Sequence, residues 1–140
     1  YQTPKLATRA AVFQGERILL VKEPKGWALP GGWVDVDVSV KENTVKEVRE
    51  EAGLEVRADR VIALQDGENH HETVYPWKVC IVFVLCTLLG GEFRENLETS
   101  ESGWFSLNEL PELDLEKTTP EQLRMCFEAR RAEHWETRLE

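Results

Sequence analysis

Three carboxylates crowd one stretch of a chain that already carries excess negative charge: Glu47, Glu50 and Glu51 in "VKEVREEAGL". At about 100° per residue they share one side of a helix, with spacing i, i+3, i+4. Like charges so placed repel by a few tenths of a kcal/mol per pair when exposed, and more when partly desolvated. A divalent cation would reverse that sign. Fifteen residues or so upstream, Gly31-Gly32 offers a backbone that a ligand can approach without meeting a side chain. From these residues alone two readings stand: a solvated helix face after a tight turn, or a seat for a cation and the phosphates it holds.

The elements that must position these residues are readable. Ser39 followed by Glu42 fits a capping box and Gly53 fits a left-handed helix end, so the spacing predicts a helix from about Val40 to Ala52. Thr44, Val45, Val48 and Ala52 form the side that packs on a sheet, with the carboxylates at its border. "RAAVFQGERILLVKE" predicts two strands around Gln14-Gly15, and "PKGWALPGGWVDVD" a loop with one short strand at most. "LEVRADRVIALQD" and "TVYPWKVCIVFVLCTLL" predict strands, the second buried on both faces. "GGEFREN" is expected to turn and continue as a strand, and "SGWFSLNELPEL" to run from strand into a short helix. Thr119, Pro120 and Gln122 cap a last helix ending near Ala132. Trp27 and Trp33 read as packing residues; Met125, Phe127 and Trp135 read as core or a dimer contact. The mixed order gives an α+β fold, an α/β/α sandwich of helices on a mixed sheet, over one domain of residues 1–140.

Composition narrows the function. The 140 residues are 41% hydrophobic and 31% charged with a net charge of −9, a balance that argues against a sequence-independent grip on nucleic acid. Small phosphorylated substrates remain compatible, because a metal supplies local positive charge. Cys80, Cys86 and Cys126 show no CxxC spacing and read as buried free thiols of a reducing, cytoplasmic compartment. The apolar run Val79 to Leu85 is too short for a bilayer, and no signal peptide is visible. The chain opens on Tyr1 and its one Met is Met125, so a piece of a longer protein is expected.

"LPGGWVDVDVSVKENTVKEVREEAGL" resembles the Nudix box, G-x5-E-x7-R-E-U-x-E-E-x-G-U, where U is bulky and aliphatic. Read from Gly32, it places Val38, Lys46, Glu47, Val48, Glu50, Glu51, Gly53 and Leu54 at the required spacings. Val38 stands where the family has Glu, and Lys46 where it has the Arg that orients the first Glu of the cluster; Lys keeps the charge but loses the rigid fork. Nearly the whole chain resembles a Nudix subgroup with an extra N-terminal helical domain, described as ADP-ribose pyrophosphatases or CDP-choline-type hydrolases; the resemblance implies that this is the C-terminal catalytic domain alone.

The resemblance implies a Nudix fold and a pyrophosphohydrolase dependent on Mg²⁺ or Mn²⁺. Its substrate would be a nucleoside diphosphate linked to another moiety, ADP-ribose-like or a CDP-alcohol. The alternatives are a catalytically weak nucleotide-binding module and an RNA-end pyrophosphohydrolase. Glu50, Glu51 and the Gly31 carbonyl are expected to hold metal, with Glu47 a further ligand or a base and Lys46 supporting the catalytic cluster. Glu98 is expected as a further acidic ligand or base, with Glu101 its competitor. Gly32 admits the substrate, and Gln65, His70, Tyr75 and Trp77 on the loop "QDGENHHETVYPW" are expected to contact the nucleoside, beside His71. No membrane or nucleic-acid partner is expected; dimers are common in the family, so a homodimer is compatible with the resemblance, and the sequence is silent on oligomeric state.

Overall fold

The computed structural model describes residues 3–67, 78–95 and 99–140. His70, His71, Tyr75, Trp77 and Glu98 lie outside the described residues. Eight strands and two helices are arranged in the order β1 (Lys5–Gln14), β2 (Arg17–Glu23), β3 (Gly26–Ala28), β4 (Gly31–Trp33), α1 (Val40–Ala52), β5 (Leu54–Asp66), β6 (Val79–Gly91), β7 (Glu101–Phe105), α2 (Pro120–Arg131) and β8 (Arg138–Leu139) among these residues.

The sheet runs β3-β2-β1-β6-β5-β8, with β4 on β1 and β7 on β2. It is mixed: β1 pairs parallel with β6, from Lys5 opposite Val79 to Val12 opposite Cys86, and antiparallel with β4, from Ala7 opposite Trp33 to Arg9 opposite Gly31. Strand β6 carries the two-faced burial its apolar run predicts. Val79, Ile81, Phe83 and Leu85 enter a core completed by Leu123, Met125, Cys126 and Phe127 of α2. Val82, Val84 and Cys86 enter a second core with Val48 and Ala52 of α1. Alternation along a strand separates the faces, so α1 and α2 cover opposite sides, and the α/β/α sandwich is as expected.

Ser39 caps α1 by accepting from the Glu42 N–H at 3.0 Å, and Gly53 ends it at φ 68°. Thr119 and Gln122 form a reciprocal capping box on α2 with Pro120 in its first turn. Met125 and Phe127 are core residues, Phe127 meeting Phe13 edge-on with ring centroids 5.1 Å apart, while Trp135 packs on that core and donates its Nε1–H to the Ile62 carbonyl.

Three local expectations are corrected. The segment around Gly31 holds two short strands, because Pro30 interrupts them while Gly31 and Gly32 let β4 lie close against β1. Residues 92–95 do not extend a strand: β6 itself runs through Gly91 to pair with Leu54. After β7 the chain forms turns and no short helix; its backbone instead reaches β3, where the Trp27 N–H donates to the Glu112 carbonyl and the Asp114 N–H to that of Trp27. Pairing across the chain outcompetes a helix too short to stabilise itself.

Candidate active site

The buried stripe of α1 contains polar groups where a packing helix would carry only apolar ones: Asn43, Thr44 and Glu51 are buried beside Val48 and Ala52. Glu51 is 4% exposed. Its Oε2 accepts from the Gly31 N–H at 3.1 Å, and its backbone carbonyl accepts from the Thr99 hydroxyl at 2.7 Å. Burial pushes its carboxyl up to about 8; Arg9 and the Gly31 N–H oppose that rise, and Glu47 and Glu23 add to it. A carboxylate taken from water and set beside two others is costly to ionise.

Glu47 lies against the neighbouring glycine. A β-carbon on Gly32 would come within 2.9 Å of Glu47 Oε1, so the bare Cα is what makes room for the carboxylate. Asn43 ties the same strand to the helix, its Nδ2 donating to the Thr8 hydroxyl at 2.9 Å and to the Gly32 carbonyl at 3.3 Å. Glu50 is exposed on the flank of α1. Thus Glu47, Glu51, Gly31 and Gly32 are brought together as the spacing implies, with Glu50 at their edge.

Among the described residues no three carboxylate, imidazole or thiolate groups converge as a complete metal cage. The fit to a hard divalent cation rests on the pair Glu47 and Glu51, mutually repulsive and set against glycine backbone. Mg²⁺ needs one or two carboxylates and completes its octahedron with water and phosphate oxygens. The residues present fit that demand.

Lys46 does not orient Glu47 as its place in the motif implied. Its Nζ lies 3.7 Å from Asp35 Oδ2, and it lines a shallow groove on the outer side of α1 with Val38, Lys41, Val45 and Arg49. A flexible ammonium follows the nearest carboxylate, where a rigid fork would be directional. An exposed pair of this kind contributes about 0–1 kcal/mol. Lys46→Ala is therefore expected to lower kcat less than about fivefold, checked by steady-state kinetics; a hundredfold loss would restore the orienting role.

Gln65 is corrected as an open nucleoside reader. It is 4% exposed; its Nε2 donates to Glu140 at 3.2 Å and its Oε1 accepts from Gln122 at 3.1 Å, so its amide is engaged within the packing of α2. Trp27 packs against Phe105, while Trp33 is 45% exposed under the Lys5 ammonium. Cys86 and Cys126 are buried free thiols pushed up to about 12 by burial. Four contributors escaped the sequence reading: Arg9, Glu23, Asn43 and Thr99. Asn43 had a legible signal, its i, i+4, i+8 spacing with Glu47 and Glu51 on the carboxylate side of the predicted helix; the others arrive from distant strands and loops.

The NUDIX domain family profile matches residues 3–126. The chain belongs to the NUDIX family. It is similar to the crystal structure of an ADP-ribose pyrophosphatase from Streptococcus suis 89-1591, with 59% identity and a TM-score of 0.92 over 99% of this chain and 100% of that one. The crystal structure of a UDP-X diphosphatase matches with 30% identity and a TM-score of 0.90, covering 99% of this chain and 68% of that one. YjhB of Bacillus subtilis (strain 168), provisionally named an ADP-ribose pyrophosphatase, is 36% identical over 130 residues, which are 91% of this chain and 62% of that protein. The chain therefore spans less than two thirds of YjhB. The fold is the Nudix fold, with Glu47, Glu50 and Glu51 in the NUDIX helix and Val38 half-buried where the family's first acid stands. NUDIX hydrolases act on diphosphate bonds and generally need divalent cations.

Proposed function

We propose that this NUDIX domain is a pyrophosphohydrolase, dependent on Mg²⁺ or Mn²⁺, that cleaves the diphosphate of a nucleoside diphosphate linked to another moiety, with ADP-ribose the first substrate to test. The observation that carries this reading is the joining of α1 to β4: Glu51 accepts from the Gly31 N–H while Glu47 occupies the space over Gly32. Glu47 and Glu51, with Glu50 beside them and the Gly31 carbonyl, would hold the cation. The bound cation would neutralise charge on the diphosphate oxygens and make a coordinated water more acidic. The chain's part is to fix the carboxylates on a rigid helix, keep the glycine backbone clear for the diphosphate, and exclude bulk water around Glu51. Glu98 is proposed as the further acid; its neighbour Thr99 is bonded to the Glu51 carbonyl.

The relatives named ADP-ribose pyrophosphatase support the first substrate, and the UDP-X diphosphatase structure favours a second, a UDP-linked compound. No helix among the described residues is long and apolar enough to cross a membrane. The test is a panel of ADP-ribose, UDP-sugars, CDP-choline, NADH and nucleoside triphosphates with Mg²⁺ or Mn²⁺, read by phosphatase-coupled phosphate release. Turnover of an X-linked nucleoside diphosphate, abolished by chelator, is the expected result. Metal-dependent nucleotide binding with no turnover of any compound would replace it with a binding module.

A further inference from the structure

The site contains a cation with no ion-pair partner among the described residues. Arg9 on β1 is half-buried and lies opposite Gly31 in the β1–β4 register. Its Nη1 donates to the Leu29 carbonyl at 3.0 Å, and its Nε is enclosed without a hydrogen-bond partner. Among the described residues no carboxylate comes within ion-pair distance of the guanidinium, although its field reaches Glu51 and lowers the cost of ionising it. A guanidinium has five donors in a planar fork that matches phosphate oxygens. Holding one partly dehydrated with a single hydrogen bond is costly unless an anion completes it. The adjacent segment, Leu29 to Gly32, leads directly to Glu51 and Glu47.

We propose that Arg9 is a substrate ligand that donates to a phosphoryl oxygen of the diphosphate, on the side of Gly31 away from the oxygens facing Glu47 and Glu51. This deepens the proposed function and rests on it. Arg9 then holds the diphosphate from one side, while a divalent cation seated on Glu47 and Glu51 would hold it from the other. Arg9 contributes chiefly to binding the phosphates, and Leu29 fixes the plane of the fork.

The test is equilibrium binding of two probes, the non-hydrolysable α,β-methylene analogue of ADP-ribose and inorganic pyrophosphate, to wild type, Arg9→Lys and Arg9→Gln. Thermal stability and the Mg²⁺ midpoint are read on the same proteins. Loss of a charge-assisted phosphate contact is expected to weaken binding of both probes in Arg9→Gln by roughly 10- to 100-fold, with Arg9→Lys between it and wild type. The Mg²⁺ midpoint should be unchanged in Arg9→Lys, and unchanged or lower in Arg9→Gln, where a cation near the carboxylates has been removed. A folded Arg9→Lys or Arg9→Gln protein that binds both probes within twofold of wild type overturns the proposal. So does a parallel loss of stability, Mg²⁺ affinity and probe affinity in both variants, which is what a purely structural arginine would produce. If wild type binds pyrophosphate but not the analogue, the nucleoside reading fails while the Arg9 effect on pyrophosphate still decides this one. Wild type binding neither probe sinks both.

Discussion

Glu51→Gln should separate activity from stability and move them in opposite directions. The several kcal/mol of charge stabilisation that a divalent cation supplies correspond to a loss in kcat of roughly 10³-fold or more when one of its two buried-side carboxylates becomes neutral. Metal-free stability should respond the other way. The Glu51 carboxyl titrates near 4.5 when unperturbed and is pushed up to about 8 in the folded protein. The folded state therefore holds this proton more tightly, and the contribution to stability is fully present below pH 4.5 and lost as pH rises through about 8. Glutamine keeps the shape without the titration. In chelator at pH 9 the variant should outlast wild type by a few kcal/mol at most, whereas at pH 6 most of that difference should be gone. Thermal scans at the two pH values, with and without Mg²⁺, check both halves. A pH-independent gap would mean that burial is not what holds the proton.

Gly31 and Gly32 should fail differently on acquiring a methyl group. At Gly31 the added carbon would fall on the backbone carbonyl of Thr8, which cannot move without opening the β1–β4 pairing. Gly31→Ala is expected to cost about 3 kcal/mol or more, or to leave the domain unfolded. At Gly32 the carbon would meet Glu47 Oε1 at 2.9 Å and Cδ at 3.0 Å, the far end of a flexible side chain. Gly32→Ala should fold, displace Glu47 by about an ångström, and lose on the order of 10²-fold in kcat. Circular dichroism melting and steady-state kinetics on both variants make the comparison. Equal losses of stability would show that Glu47 is held too rigidly to yield.

The parts of this architecture that were legible in sequence are those fixed within one element. Ser39, Glu42 and Gly53 mark both ends of α1 because caps are local chemistry. The apolar run in β6 announces a strand with two covered faces, and the glycine-to-glutamate spacing survives folding because one helix and one short strand set it. What was not legible depends on partners far along the chain. Lys46 turns to Asp35 because neither residue's spacing says which carboxylate is nearer. Gln65 is drawn into the packing of α2 by Gln122 and Glu140, more than fifty residues away in sequence. Arg9 looked like an ordinary strand residue until β4 was laid beside it. Position along a strand predicts a face; it does not predict what arrives on that face.

The alternation of β6 also constrains how this chain can change length. Phe83 and Val84 belong to different cores although they are adjacent, so deleting or inserting a single residue upstream within the strand would exchange the two sets of side chains. Val82, Val84 and Cys86 would then confront α2, and Ile81, Phe83 and Leu85 would confront α1, with both interiors misfilled at once. Among descendants of this sequence, β6 should therefore tolerate substitution by residues of similar size yet reject single-residue indels, leaving variation in length to accumulate at the rims. The strand works as a ruler that evolution can repaint but not recut.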